Sequence, residues 1–282
     1  MDIIITGAGG QLGTDMAQLY ADMGHSVHTA ERRDLDITDR AAVERYFGRH
    51  PCDLLINCAA YNAVDRAEEE WKTAYRVNGL GVRNLVNAVN ECNGTIVHYS
   101  TDYVFDGQKE RPYTLIDSPH PINRYGESKL LGEQYIRDLS QRYFLIRVSW
   151  VFGPGKDNFV RKVIEWSRDN DQLRIVNDQI SSPTYTQDLA KATLDLVKTG
   201  VHGLYHITNS GSCSRYEWAV HILDLLDWKG EVLPVSSEKF PSPARRPGYS
   251  VLDNFGSHET IGYSLPDWKD ATRRFLLRDG RL

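Results

Sequence analysis

The sequence predicts an α/β fold, a doubly wound parallel sheet with a smaller C-terminal lobe. Three features carry that expectation. Short apolar β-rich runs alternate with longer helix-period segments through the first half of the chain, and a glycine-rich turn directly follows the first of those runs. After Trp150 the alternation loosens into segments punctuated by glycine, proline and serine.

In order, Ile3-Ile4-Ile5 reads as a strand, with a helix from about Gln11, a strand over Val27 to Ala30 and a helix from about Arg40. Leu54-Leu55-Ile56 is the next strand, followed by a helix across Thr73 to Val89, a strand over Ile96 to Tyr99, a helix opening within "NRYGESKLLGEQ" (123–134) and a strand over Phe144 to Val148. Strand and helix alternating at this pitch imply parallel βαβ units. The later segments "VFGPGKDNF", "NDQISSPTY" and "SSEKFPSPARRPGYS" suggest a lobe of short elements. Residues 1–150 are therefore expected to form one domain. Residues 151–282 are expected to be mainly the lobe, with some segments returning to the core of the first.

Composition removes several function classes. With 33 basic against 38 acidic side chains the net charge is -5, so no cationic surplus points to nucleic acid. No stretch approaches the ~20 apolar residues of a membrane span, and Met1 runs into a strand without a basic flank or cleavage site, so a cytoplasmic protein is expected. Cys52, Cys58, Cys92 and Cys213 show neither CxxC spacing nor a histidine at metal-ligand spacing; reduced thiols are expected, with no zinc site or disulfide framework.

The turn "IIITGAGGQLGTDM" sets Gly7, Gly10 and Gly13 at GxxGxxG spacing between a strand and a helix. Glycine there permits positive φ and close approach to a pyrophosphate, while the helix start offers free N–H groups and a positive dipole end. That is a dinucleotide site, and the sheet is Rossmann-like. The second strand ends in "AERRDLDITD", where Glu31 suits a ribose 2′-hydroxyl and Arg32 and Arg33 suit a 2′-phosphate. NADPH is the expected cofactor, with NADH the alternative.

Three segments converge where cofactor chemistry sits in an open α/β sheet, at the carboxyl edge of the strands. They are "INCAAYNAVDRAE", "HYSTDYVFDG" and the helix bearing Tyr125 and Lys129. Four-residue spacing of Tyr and Lys also occurs on any exposed helix; the location gives the pair a task. A ketone reduced by hydride gains negative charge on oxygen, and an acid beside it lowers the barrier. Tyr125 suits that acid, Lys129 favours its ionised form, and a hydroxyl of Ser100 or Thr101 completes the set.

Ser/Thr plus YxxxK after such a turn resembles the extended short-chain dehydrogenase/reductase superfamily. More narrowly, "GGQLG", "DLDITD", "NCAAYNAVDRAE", "STDYVFDG", "YGESKLLGE", "RVSWVFGPGKDNFV", "NDQISSPTY" and "RRPGYSVLD", running from Gly9 to Asp253, resemble the dTDP-4-dehydrorhamnose reductase family. The resemblance implies hydride transfer from NAD(P)H to the C4 ketone of dTDP-4-dehydro-L-rhamnose. It makes Tyr125 the general acid, Lys129 the residue that tunes it and grips the nicotinamide ribose, and Thr101 the hydroxyl on the keto oxygen, with Ser100 the alternative. Gly7, Gly10, Gln11, Leu12 and Gly13 match the pyrophosphate turn. Asp36 and Ile37 match the adenine side, and Ala59, Ala60 and Tyr61 the cofactor wall. Thr101, Asp102, Tyr103, Trp150, Asn158 and Arg246 occupy positions that resemble substrate contacts: Trp150 offers a flat face to the sugar, Asn158 an amide, and Arg246 a fork for diphosphate or a plane for thymine.

Two readings compete with this one: a sister reductase giving another stereochemistry, such as 6-deoxy-L-talose, and a non-catalytic binding module like the regulatory subunit of methionine adenosyltransferase. Asp65 and Glu68 are expected to position the substrate wall, and Asn177, Asp178 and Gln179 to fix a loop or touch substrate. Some members of the resembled family bind a divalent metal across a dimer interface. Here Asp15 is suitably placed, but Gln187 stands where a carboxylate is expected and Asp188 is turned by about 100°. No metal site, and so no structural magnesium, is therefore expected; a monomer or weak homodimer is. Asn62 also departs from the expected Thr.

Overall fold

The structure, a computed structural model, describes residues 1–155 and 158–282. The first half runs β1 (Asp2–Thr6), α1 (Gln11–Asp22), β2 (Ser26–Ala30), α2 (Arg40–Phe47), β3 (Leu54–Asn57), α3 (Arg66–Glu69), α4 (Trp71–Tyr75) and α5 (Val82–Glu91). It continues with β4 (Thr95–Thr101), α6 (Arg124–Leu139) and β5 (Tyr143–Val148). Polar caps set the helix starts: Asp39 accepts from Ala42 N at 3.1 Å for α2, and Asn123 from Gly126 N at 2.8 Å for α6.

Further on come β6 (Val151–Phe152), α7 (Phe159–Asp169), β7 (Gln172–Val176), β8 (Ile180–Ser181), β9 (Thr184–Tyr185), α8 (Thr186–Thr199) and β10 (Gly203–His206). The chain ends with β11 (Cys213–Ser214), α9 (Arg215–Leu225), β12 (Glu231–Val235), α10 (Phe255–Ile261) and α11 (Trp268–Arg278). The central six-stranded sheet has the order β10-β5-β4-β3-β1-β2, all parallel.

Alternate strand residues point to opposite faces. Ile3, Ile5, Ile56 and Ile146 therefore enter one apolar cluster with α1 and α8, while Ile4, Leu55, Ile96 and Leu145 enter another with α2 and α5. Burial on both faces is why the strands read as unbroken apolar runs. The helix expected over Thr73 to Val89 is instead α4, a π-helical segment Arg76–Gly81 and α5. At Gly79 a Cβ would stand 2.5 Å from Leu131 Cδ2, so the backbone of the π segment packs directly on α6.

Beyond Trp150 the chain does two things. β10, α8 and α10 join the central sheet and its layer, while most of the rest builds a lobe from two-stranded pieces: β7 with β12, β6 with β9 and β8 with β11. An apolar core rich in aromatics, including Phe152, Tyr185, Trp218 and Phe275, holds the lobe together.

Candidate active site

A cleft of about 400 Å³ opens at the carboxyl ends of β1, β3 and β4, beneath the lobe. Gly10, Gln11, Cys58, Ala59, Ala60 and Asn62 also line an adjoining cavity of about 480 Å³ that reaches Glu31, Arg32, Asp36 and Ile37. Gly7 has φ +66°, and a Cβ there would stand 2.6 Å from Ala59 N. Only glycine lets the first turn lie against the end of β3. Gly10 caps α1 without a side chain, which leaves first-turn N–H groups open to an anion.

At the adenosine end the two arginines part company. Arg32 lines the cavity, whereas Arg33 turns to Glu31 and Asp34 at 3.7 and 3.9 Å and lines a separate groove. Asp36 is fixed by the Thr38 amide and hydroxyl at 2.9 and 2.7 Å, and the carbonyl of Ile37 accepts from Asn84 at 3.0 Å. Tyr61 stands on the same wall, its hydroxyl donating to Glu70 at 2.8 Å.

At the other end α6 carries Tyr125 and Lys129 into the cleft. A buried ion pair ties this helix to β5: Glu133 accepts from Arg147 at 2.9 and 2.7 Å. Removing either partner would strand a buried charge, at a cost on the order of 3–5 kcal/mol. The Tyr125 hydroxyl donates to Asn62 Oδ1 at 3.5 Å, so the residue that departs from the resembled pattern faces the phenol. Lys129 Nζ donates to the Tyr99 carbonyl at 2.6 Å. Burial pulls Lys129 down to about 8. Burial, helped by the charge of Asp102, pushes the Tyr125 phenol up, against a hydrogen bond with Thr101. The phenol is thus shifted away from phenolate, opposite to the direction expected from its lysine, because desolvation and the Asp102 charge dominate its surroundings.

Both candidate hydroxyls line the cleft. Thr101 Oγ1 donates to Asp102 Oδ1 at 3.0 Å and accepts from Tyr103 N at 3.1 Å, while Ser100 Oγ is buried with no partner among the described residues. Tyr103 meets Tyr125 edge to face, with ring centres 5.8 Å apart. Asp102 is almost wholly buried, with both carboxylate oxygens engaged inside the protein.

On the lobe side Trp150 has φ +43°, a conformation a bulky residue adopts only under constraint. Its ring stacks with Trp218, and the Arg215 guanidinium lies 3.6 Å from its centre. Arg246 donates to Asp65 at 2.7 Å, and Glu68 accepts the Arg124 amide at the start of α6 at 2.9 Å; both acids therefore shape the wall. Asp178 accepts from the Ser237 backbone amide and from the hydroxyls of Ser236 and Ser237, a loop-fixing arrangement. Asn158 borders a cavity with Trp150, Arg215 and Arg246, yet its side chain is committed internally. It caps α7 and donates to Gln11 Oε1 at 3.0 Å and to the Gly153 carbonyl at 2.9 Å.

Two functional positions escape the sequence reading. Asn78, in the π segment, bridges the Tyr61 backbone and Ser128 Oγ at 2.8 to 3.0 Å, joining the cofactor wall to the Tyr125 helix. Arg215 is the other. A signal for it exists: it is the first residue of α9, just after the capping Ser214, where a cation opposes the helix dipole. Burial pulls Arg215 down to about 10.

Asp15 pairs with Arg278 at 2.7 Å and Asp188 with Arg274 at 2.6 Å, so each carboxylate is neutralised within the chain. Among the described residues no group of three or more His, Cys, Asp or Glu is arranged to hold a metal ion, and no helix is long and apolar enough to cross a membrane.

Comparison with known proteins accords with this geometry. The chain is 38% identical over 274 residues to the spore coat polysaccharide biosynthesis protein SpsK of Bacillus subtilis, covering 97% of this chain and 96% of that protein. It is 35% identical over 290 residues to a dTDP-4-dehydrorhamnose reductase of Burkholderia thailandensis, covering 96% of each. A crystal structure of a dTDP-4-dehydrorhamnose reductase from Clostridium acetobutylicum superimposes with a TM-score of 0.97 at 37% identity, covering 99% of this chain and 100% of the other. One from Bacillus anthracis, in complex with NADP, gives a TM-score of 0.95 at 37% identity over 98% of each chain. The profile of the RmlD substrate binding domain matches residues 1–280, and the chain belongs to that family.

Proposed function

We propose that this protein is a dTDP-4-dehydrorhamnose reductase, transferring hydride from NADPH to C4 of dTDP-4-dehydro-L-rhamnose to give dTDP-L-rhamnose. One observation carries the reading: Tyr125, Lys129, Thr101 and Ser100 line a single cleft that runs on to the glycine turn of α1. The names of the relatives and the NADP in a neighbouring structure support it.

The residues suit the cofactor. The uncapped start of α1 suits a pyrophosphate, Arg32 a 2′-phosphate, Asp36 and Ile37 the adenine side, and Ala59, Ala60 and Tyr61 the wall between. NADPH, when bound, supplies the hydride. Tyr125, kept protonated by burial, delivers its proton to the alkoxide oxygen as charge develops there. Thr101 or Ser100 aligns that oxygen. Lys129 steadies the ribose; as a group held down to about 8, it is charged below that pH and loses its charge above it. Arg215 and Arg246 offer cations to the diphosphate, and Trp150 bounds the sugar.

In this reading residues 1–150 hold the dinucleotide and 151–282 mainly the sugar nucleotide, apart from β10, α8 and α10. The protein works in the cytoplasm as a monomer or weak homodimer without a structural magnesium, in keeping with the arginine partners of Asp15 and Asp188.

The test supplies fresh dTDP-4-dehydro-L-rhamnose with NADPH or NADH, follows nicotinamide absorbance and identifies the sugar by NMR. L-rhamnose formed faster with NADPH is the expected outcome. A C4 epimer would move the assignment to a sister reductase, and cofactor binding without turnover would overturn the enzymatic reading.

A further inference from the structure

A buried carboxylate that this scheme does not use joins the two sides of the cleft. Asp102 directly follows β4 and is 2% exposed. One of its oxygens accepts from Thr101 Oγ1 at 3.0 Å; the other accepts from Ser250 Oγ at 2.6 Å and Ser181 Oγ at 3.4 Å. Ser181 belongs to β8, and Ser250 follows the segment that carries Arg246. The carboxylate thus touches the sheet edge and two lobe segments at once, and each of its oxygens has a partner inside the protein.

The consequence lies in the proton of Thr101. An ionised carboxylate only accepts, and a hydroxyl has one proton to give. While Asp102 is charged, Thr101 points its proton at Asp102 at 3.0 Å and accepts the Tyr103 amide at 3.1 Å, so Ser100, whose Oγ has no partner among the described residues, is the hydroxyl left to donate to the keto oxygen. The charged and titratable groups facing Asp102 are Tyr103 on its own turn, Tyr125 on α6 and Arg215 on α9; β8 and the Ser250 segment present hydroxyls.

We propose that Asp102 is a positioning residue: it sets the direction of the Thr101 hydroxyl and, through Ser181 and Ser250, makes that setting depend on how the lobe segments are seated. The inference rests on the reductase reading and reassigns Asp102 from substrate contact to the support of Thr101. Burial pushes the Asp102 carboxyl up to about 6, against the hydrogen bonds of Ser250 and Thr101 and the charge of Arg215. The device therefore switches within an accessible pH range.

Two measurements test it. The first is a carbon-13 NMR titration of labelled aspartate carboxyls in the wild type, Ser250→Ala and Thr101→Val, with Asp102→Asn assigning the signal. Each hydroxyl now stabilises the charged form, so removing either should raise the Asp102 midpoint by about one unit. A midpoint in the ordinary carboxylate range, or one unmoved by both variants, overturns the proposal.

The second measurement is turnover of Asp102→Asn across pH, with thermal unfolding as the folding control. We expect kcat to fall at least about tenfold, with NADPH affinity within about twofold of wild type. The wild type should lose activity as pH drops through about 6, and the variant should lack that limb. A variant that keeps wild-type kcat and the same limb overturns the proposal. Failure of the wild type to reduce the sugar, with the carboxyl shifts intact, counts against the reductase reading alone.

Discussion

The glycine turn and the lobe-side wall make opposite use of the chain. The turn runs from Gly7 to Gly13, and what it offers a dinucleotide is chiefly backbone: a positive φ at Gly7, approaches too close for a Cβ and free N–H groups at a helix start. The wall is built from side chains at Trp150, Asn158, Arg215 and Arg246, brought together by β6, α7, α9 and the segment before Ser250. A site made of backbone in one stretch is written as a local pattern. One made of side chains from distant stretches exists only once the fold does.

If the two regions bind their ligands separately and meet only at the reacting atoms, the largest effect belongs to the residue between them. Tyr125→Phe removes the proton donor and keeps the ring that Tyr103 packs against. We expect kcat to fall about 100-fold or more, the usual range for a lost general acid, with NADPH affinity by fluorescence titration changed by less than about threefold. Near wild-type turnover would remove Tyr125 from its role. A large loss of cofactor affinity would show instead that the regions do not bind separately.

Arg215→Ala tests the wall alone. Losing a charged hydrogen-bond donor costs about 1.5–3 kcal/mol, which corresponds to a rise in KM for the sugar nucleotide of roughly 10- to 100-fold. The guanidinium also covers Trp150, so some of the effect is lost packing. Arg215→Lys separates the two, since it keeps the charge and loses the planar fork. NADPH affinity should not move in either variant; a parallel loss would place Arg215 in cofactor binding.

The legible and illegible parts of this chain divide along the same line. The six strands of the sheet differ in how they announce themselves: β1, β3, β4 and β5 carry buried apolar runs, the edge strand β2, "SVHTA", is half polar, and β10, "GLYH", lies in the looser second half and is recognisable only by its pairing with β5. The GxxGxxG turn and the Tyr125–Lys129 helix stand where the pattern puts them. The π segment is hidden in the sequence because the residues around Asn78 read as ordinary helix, and its close packing on α6 at Gly79 is visible only in the fold. Arg215 was hidden because its partners, Trp150 and Asp102, are more than sixty positions away in sequence. Asn158 was visible as a polar residue in a plausible place, but its engagement with Gln11 is a fact of the fold.

That engagement gives the smallest predicted effect and the finest test of the comparison. Gln11 opens the helix behind the glycine turn, and its Oε1 accepts from Gly153 N at 2.7 Å and from Asn158 Nδ2 at 3.0 Å, so one side chain of the dinucleotide region is held by the lobe. Asn158→Ala removes one of those donors and the α7 cap, which accepts from Arg161 N at 3.1 Å. The lost cap should cost about 0.5–2 kcal/mol of stability, read as a lower denaturant midpoint at unchanged slope. Asn158→Asp keeps an acceptor for the cap but cannot donate to Gln11, so it isolates the link between the regions. We expect its stability to lie close to wild type and its affinity for NADPH to weaken by only about twofold to fivefold, a single neutral hydrogen bond's worth. If Asn158→Asp left NADPH binding untouched and raised only the KM for the sugar nucleotide, the amide would be a substrate contact after all, and the two regions would be more nearly independent than the Gln11 bridge implies.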